Sequence, residues 1–293
     1  MRHKSMVRII LGILAIMAVA LMLAGSAWAQ ATFKTLYKFK GGKDGEFPFA
    51  ALIFDQVGNL YGTTEYGGAH GEGTVFQLSP NQNGGWTESV LYSFCSLANC
   101  TDGWAPVAGL IFDQAGNLYG TTLYGGTHGV FGSGTVFQLR PNQNGGWTES
   151  VLYSFCAGPS CANGMFPSGG VVFDQAGNLY GTTYTGGVYA GGTVFQLSPN
   201  QNGGWTERVL HSFCPPGCAD GTSPVAGLIF DQAGNLYGTA EGGGAHFDGT
   251  VFQLAPDQNG GWTEHVLHGF LDKPGAFPDA GLILDKAGNL YGT

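Results

Sequence analysis

Charge is what this sequence has least of. Only 11% of its 293 residues are charged, where a globular chain usually carries about a quarter. Low charge can accompany disorder, but 20 Phe, 12 Tyr and 6 Trp argue against that, because disordered chains are poor in aromatics. Bases are scarcer than acids: 11 Lys and Arg against 20 Asp and Glu give a formal charge of −9. Such a surface repels phosphate backbones, which disfavours a nucleic-acid partner. Catalytic signatures are missing too. There is no Gly-x-Ser-x-Gly, no His-Glu-x-x-His, no phosphate loop ahead of a Lys and no dinucleotide-binding glycine fingerprint. Motifs therefore assign no catalytic residue, metal site or cofactor.

Long apolar runs are also absent, with one exception at residues 9–23. Arg2, Lys4 and Arg8 precede it, and Ala27-Trp28-Ala29 follows. A positive start, an apolar run and a small-x-small step read as a secretory signal cleaved after Ala29. A retained anchor is the rival, but the run falls short of the roughly 20 residues a bilayer span needs. Cleavage removes three of the 11 Lys/Arg and none of the 20 Asp/Glu, leaving a net charge of −12. No later stretch can span a membrane. The expectation is a 1–29 signal and a secreted, periplasmic or cell-surface domain over 30–293.

Glycine is abundant, with 52 residues, and it is periodic. From residue 108 the chain reads Ala-Gly-Leu-Ile-Phe-Asp-Gln-Ala-Gly-Asn-Leu-Tyr-Gly-Thr-Thr, then a Gly-Gly loop, then Gly-Thr-Val-Phe-Gln-Leu. Pro-Asn-Gln-Asn-Gly-Gly-Trp-Thr-Glu and Val-Leu-Tyr-Ser-Phe complete the unit. Its Asp recurs as Asp55, Asp113, Asp174, Asp231 and Asp285, and its Trp as Trp86, Trp147, Trp205 and Trp262. Units of about 58 residues start near 50, 108, 169, 226 and 280.

Each unit holds four strand-like runs, a to d. Run a (110–112) is apolar on both faces, as a strand between two layers should be. Runs b (118–122) and c (135–139) follow. In run d (147–155), Trp147, Val151, Tyr153 and Phe155 share a face with Glu149, and Thr148, Ser150 and Ser154 mark the other. Leu152 breaks the alternation. Between a and b, Asp113-Gln114-Ala115-Gly116-Asn117 is a hairpin turn whose Asp can cap backbone N–H groups. Four antiparallel strands repeated without a helical period predict an all-β β-propeller of four-stranded blades, four complete and a partial fifth. Leu36-Tyr37-Lys38-Phe39 reads as a lone strand d that could complete the blade begun at Ala280. That blade lacks a run c, so the expectation is a defective five-bladed ring or, preferably, a fragment of a larger one.

Length varies only in the b–c loops and the d–a connections, which share one rim of a blade. Variable loops on a rigid scaffold usually carry binding, so that rim is the expected ligand face. His70, His128 and His246 each lie nine residues after the strand-b Tyr, with Tyr189 at the same place in the third unit. They are candidates for ligand contact together with Glu72 and Asp248, although duplication of a polar loop residue is the plainer account of the pattern. A metal site through the loop histidines is a weaker option. Glu65, Glu72, Glu241 and Asp248 could pair for glycoside chemistry, but no spacing fixes their separation.

The six cysteines fall into the local pairs Cys95/Cys100, Cys156/Cys161 and Cys214/Cys218, all in d–a connections. Members of a pair come and go together, as disulfide partners do, and export permits oxidation. Zinc would need four ligands, and the pairs sit on separate blades.

Leu-Tyr-Gly-Thr-Thr-x-x-Gly-Gly followed by Gly-Thr-Val-Phe-Gln-Leu resembles the GloVer tandem repeat of exported bacterial proteins, over essentially all of residues 33–293. The resemblance implies export and repeat architecture and assigns no chemistry. The Gly-Gly doublet, the aromatic strand and the Trp after a turn are also similar to kelch propellers, more loosely. The reading is an exported binding or structural module for an extracellular ligand, glycan or protein. A carbohydrate-active or other propeller enzyme using the b–c/d–a face is the alternative.

Overall fold

The computed structural model describes residues 33–128, 132–271 and 275–293, so the expected signal over 1–29 lies outside the described residues. The chain divides into the units Met1–Leu36 and Tyr37–Thr293, and every strand among the described residues lies in the second.

The first sheet contains β1 (Ile53–Phe54), β2 (Leu60–Thr64), β3 (Thr74–Pro80) and β4 (Trp86–Ser93), paired antiparallel in chain order. The second repeats it with β5 (Ile111–Phe112), β6 (Leu118–Thr122), β7 (Thr135–Pro141) and β8 (Trp147–Ser154). The third comprises β9 (Val172–Phe173), β10 (Leu179–Thr183), β11 (Thr193–Pro199) and β12 (Trp205–Ser212). The fourth comprises β13 (Ile229–Phe230), β14 (Leu236–Ala240), β15 (Thr250–Pro256) and β16 (Trp262–Gly269). A two-stranded fifth sheet pairs β17 (Ile283–Leu284) with β18 (Leu290–Tyr291). The protein is all-β, with propeller blades of four antiparallel strands and a partial fifth.

Apolar surface is buried between blades. One cluster joins Tyr61, Val75 and Phe94 of the first repeat to Leu110, Leu118, Phe137 and Leu139 of the second, and the next two seams repeat it. The phenylalanine closing each d strand meets the c-strand phenylalanine of the following blade edge to face. Centroid distances are 5.0 Å for Phe94–Phe137, Phe155–Phe195 and Phe213–Phe252. These six rings are fully buried, and each contributes about 2–3 kcal/mol. Close approach of c to b needs a residue without Cβ: one added to Gly120 would lie 2.7 Å from the Phe137 ring. A hydrogen bond also crosses each seam, Thr121 Oγ1 donating to the Gly169 carbonyl at 3.1 Å in the second.

One exception gains its cause and one expectation needs correction. The exception at Leu152 is a β-bulge: Val136 faces Tyr153 and Phe137 faces Val151, so Leu152 is the extra residue. It packs into the seam beside Phe155 and Phe195. The lone strand expected over 36–39 does not form, because no neighbouring strand supplies it with a ladder. Phe39 nevertheless takes the place of a strand-d end, 4.9 Å from Phe76. Among the described residues no hydrogen bond or ring contact joins the fifth sheet to the first.

Candidate functional site on the loop face

The a–b turns form one face. Asp113 Oδ1 accepts from the Ala115 and Asn117 backbone N–H groups at 2.9 Å, and Oδ2 accepts from Asn117 Nδ2 and from the Tyr119 hydroxyl at 3.0 Å. Gln138 then donates to the Tyr119 oxygen. Burial works to raise the Asp113 carboxyl, and bonds from Asn117, Tyr119 and Ala115 outweigh it, holding the group below the usual range. The arrangement recurs at Asp55, Asp174, Asp231 and Asp285, as capped turns should.

The opposite face carries the b–c loops and d–a connections, fastened to each other through the main chain. Trp104 exchanges backbone bonds with Tyr124 at 3.0 and 3.2 Å, and Glu46 does so with Tyr66. The Cys100 carbonyl accepts from Gly103 N at 2.9 Å and Gly126 N at 3.0 Å. Three disulfides, Cys95–Cys100, Cys156–Cys161 and Cys214–Cys218, close the d–a loops as expected, with Cα separations of 4.0, 4.1 and 3.8 Å. The cysteine-free first loop makes the same two bonds from the Gly42 carbonyl, to Gly45 N and Gly68 N.

Of the candidate residues, His70, Tyr189 and His246 are exposed and His128 is half-buried, its Nδ1 3.3 Å from Thr127 Oγ1. They sit on separate loops, and among the described residues no three His, Cys, Asp or Glu side chains gather as a metal site requires. Glu72 and Asp248 occupy equivalent positions. Their carbonyls accept from Ala105 N (2.9 Å) and Phe277 N (2.8 Å) of the following unit, tying blade to blade.

The pattern of the Gloeobacter/Verrucomicrobia repeat family matches residues 25–160 and 84–293. The chain belongs to that family. No curated protein matches the sequence. Among solved structures the chain is similar to PorZ, a surface component of the type-IX secretion system of Porphyromonas gingivalis. Identity is 15%, TM-score 0.47, and 89% of this chain and 33% of PorZ are covered. The chain thus spans about a third of that protein's length. A Dyadobacter fermentans protein of unknown function gives 11% identity, TM-score 0.47, and 80% and 72% coverage. An α-L-arabinanase from Cellvibrio cellulosa gives 12%, 0.39, and 73% and 75%.

What this chain displays on the loop face, and what motif reasoning missed, is a set of aromatic rings. Phe47 stacks with Phe49 (6.1 Å, 12°) and meets Tyr66 edge-on. Trp104 stacks on Tyr124 (4.3 Å, 24°), and Tyr124 meets Phe166 at 5.3 Å. The Tyr66 phenol is raised, first by its hydrogen bond to Glu65, with weaker charge effects from Tyr124 and Glu72. Phe47 and Phe49 are 55% and 68% exposed, while Trp104, Tyr124 and Phe166 are half-buried. Phe47 and Phe166 hold φ of 56° and 58°, a costly conformation for a bulky residue. Each is fixed there by its carbonyl, which accepts from the b–c loop of its own unit. A sequence signal existed: every residue at this position precedes a proline, Phe47-Pro48, Ala105-Pro106, Phe166-Pro167, Ser223-Pro224 and Phe277-Pro278.

Proposed function

We propose that this chain is an exported binding module whose ligand lies against the aromatic strip of the b–c/d–a face. The observation that carries the reading is the strip itself: stacked rings on main-chain-fastened loops, with two of them held at positive φ. Aromatic residues are unusual things to leave in view, and contiguous exposed apolar patches commonly mark binding sites. Flat rings with Glu65 beside them suit the C–H faces and hydroxyls of a glycan. The signal-like N-terminus and the cystines agree with a secreted, periplasmic or cell-surface location.

The test is a glycan array probed with the protein lacking residues 1–29, with metal analysis of the same sample. The expected result is retention on a subset of glycans, weakened about tenfold, or about 1.4 kcal/mol, by Trp104→Ala. Retention that Trp104→Ala and Phe47→Ala leave unchanged would rule out the strip as the binding surface. Glycan turnover would replace a binding module with an enzyme.

A further inference from the structure

Three glutamates repeat at the seams between blades, and a fourth holds the same place against the segment before the first blade. Glu88, Glu149, Glu207 and Glu264 follow the Trp-Thr step of each strand d, and each has a buried Oε1 with no hydrogen-bond partner. β8 lies alongside β4, β12 alongside β8, and β16 alongside β12, so each of the last three glutamates is presented to the preceding blade. What it meets there also repeats: a ring from strand d and a polar residue from the d–a loop. Tyr153, held by Asn163, reaches Glu207, while Glu149 feels the charges of Tyr92 and Asp102 and Glu264 those of His211 and Asp220. Glu88 meets Tyr37 and Asp44 in the same way.

The preceding blade has little to give these carboxyls. Fully buried Asp102 accepts from the Tyr92 hydroxyl (2.7 Å), Ser96 N (2.8 Å), Ser96 Oγ (2.9 Å) and Leu97 N (3.2 Å). The phenol proton therefore serves Asp102, and Glu149 is left beside a carboxylate. Asp220 likewise takes His211 Nε2 at 2.8 Å and Cys214 N at 3.1 Å. Only the Asn163 seam differs: Asn163 donates to the Tyr153 hydroxyl at 2.6 Å, which frees that hydroxyl to donate to Glu207 Oε2 at 3.4 Å. A buried carboxylate without donors is costly, whereas the neutral acid is tolerated.

We propose that each seam holds a proton on its strand-d glutamate, which makes the contact of blade on blade sensitive to pH near neutrality. Burial, then the charge of Asp102, pushes Glu149 up to about 8, and burial followed by Asp44 takes Glu88 to about 7. Burial takes Glu207 to about 7 against the Tyr153 bond. It takes Glu264 to about 7, with His211 opposing and Asp220 assisting. Each group starts from an ordinary value of 4.5. A raised acid binds its proton more tightly in the fold, so its contribution is complete below about 4.5 and is lost as pH climbs to 7–8. Asp102 also fastens Ser96 and Leu97 of the loop leading to Trp104, so ionisation of Glu149 pushes on a loop of the aromatic face.

Measurements on the intact chain test this. Carbon-13 NMR of the glutamate carboxyls should show four groups titrating near pH 7–8, apart from the rest near the ordinary value. Melting temperature should fall from pH 5.5 to 8.5, and Glu149→Gln should flatten part of that fall. Protection of the Ser96 and Leu97 amides, relative to their intrinsic base-catalysed exchange, should fall above pH 8. Glutamates that all titrate near 4.5 would overturn the proposal, as would parallel melting profiles for the wild type and Glu149→Gln. The NMR arm needs no variant and decides the matter even if the substituted chain fails to fold.

Discussion

The two faces of the blades satisfy their backbone polar groups by different means. On the turn face a side chain does it, with Asp113 taking four donors, and the residues recur almost unchanged. On the loop face the main chain does most of it: the 104–124 bridge and its counterparts pass between backbone atoms, with Asp102 and Asp220 capping N–H groups of the d–a loops. The position consequently accepts different side chains, holding Glu46, Trp104, Met165 and Thr222 in successive units. One face is constant because its chemistry resides in side chains. The other can vary where backbone atoms alone fasten it.

The largest expected effect comes from breaking the main-chain fastening itself. Gly134 has φ 95°, and an added Cβ would lie 2.4 Å from Pro167 Cδ and 2.6 Å from the Thr122 carbonyl oxygen. Gly134→Ala should cost about 3–4 kcal/mol in urea unfolding, from backbone strain together with a blade-to-blade clash. A variant within 1 kcal/mol of wild type (roughly the size of an ordinary surface change) would show that the loop face is not rigidly docked.

On the turn face Asp113→Ala should cost about 2–3 kcal/mol, since it strands the Tyr119 hydroxyl and two backbone donors. The pH dependence carries a sign opposite to that of the seams. These carboxyls lie below the ordinary 3.8 in the fold, so their contribution is present at neutral pH and is lost as pH falls through the folded value. Asp113→Ala should therefore reduce the loss of melting temperature in acid.

Removing one cystine with Cys95→Ser and Cys100→Ser should cost about 2 kcal/mol through the entropy of a short loop. The first loop holds the same bonds from the Gly42 carbonyl without a bridge. The double variant should therefore keep its backbone arrangement, visible as unchanged amide shifts at Gly103 and Gly126.

Strands were legible because alternation and turn residues are local properties. Run b, expected over 118–122, is β6, Leu118–Thr122. Strand d ends at Ser154 and not at 155, and strand c continues to Pro141. The cysteine pairs were readable from their joint presence and absence. The bulge at Leu152 showed only as a break in alternation, since a bulge is defined by the partner strand. Glu149 was visible on the apolar face of strand d, but its buried oxygen depends on Asp102 of another blade. The aromatic strip was missed although a repeated proline follows each positive-φ position, because the stacking of rings from separate loops is not a local property.

The most direct measurement sets the faces against each other in one binding assay, with wild type, Trp104→Ala and Gln114→Ala on the same glycan array. Gln114 is exposed at the tip of a turn, on the face opposite the strip. A ligand on the aromatic strip predicts about tenfold weaker retention for Trp104→Ala and none lost for Gln114→Ala. Retention lost with Gln114→Ala and kept with Trp104→Ala would place the ligand on the turn face and contradict it.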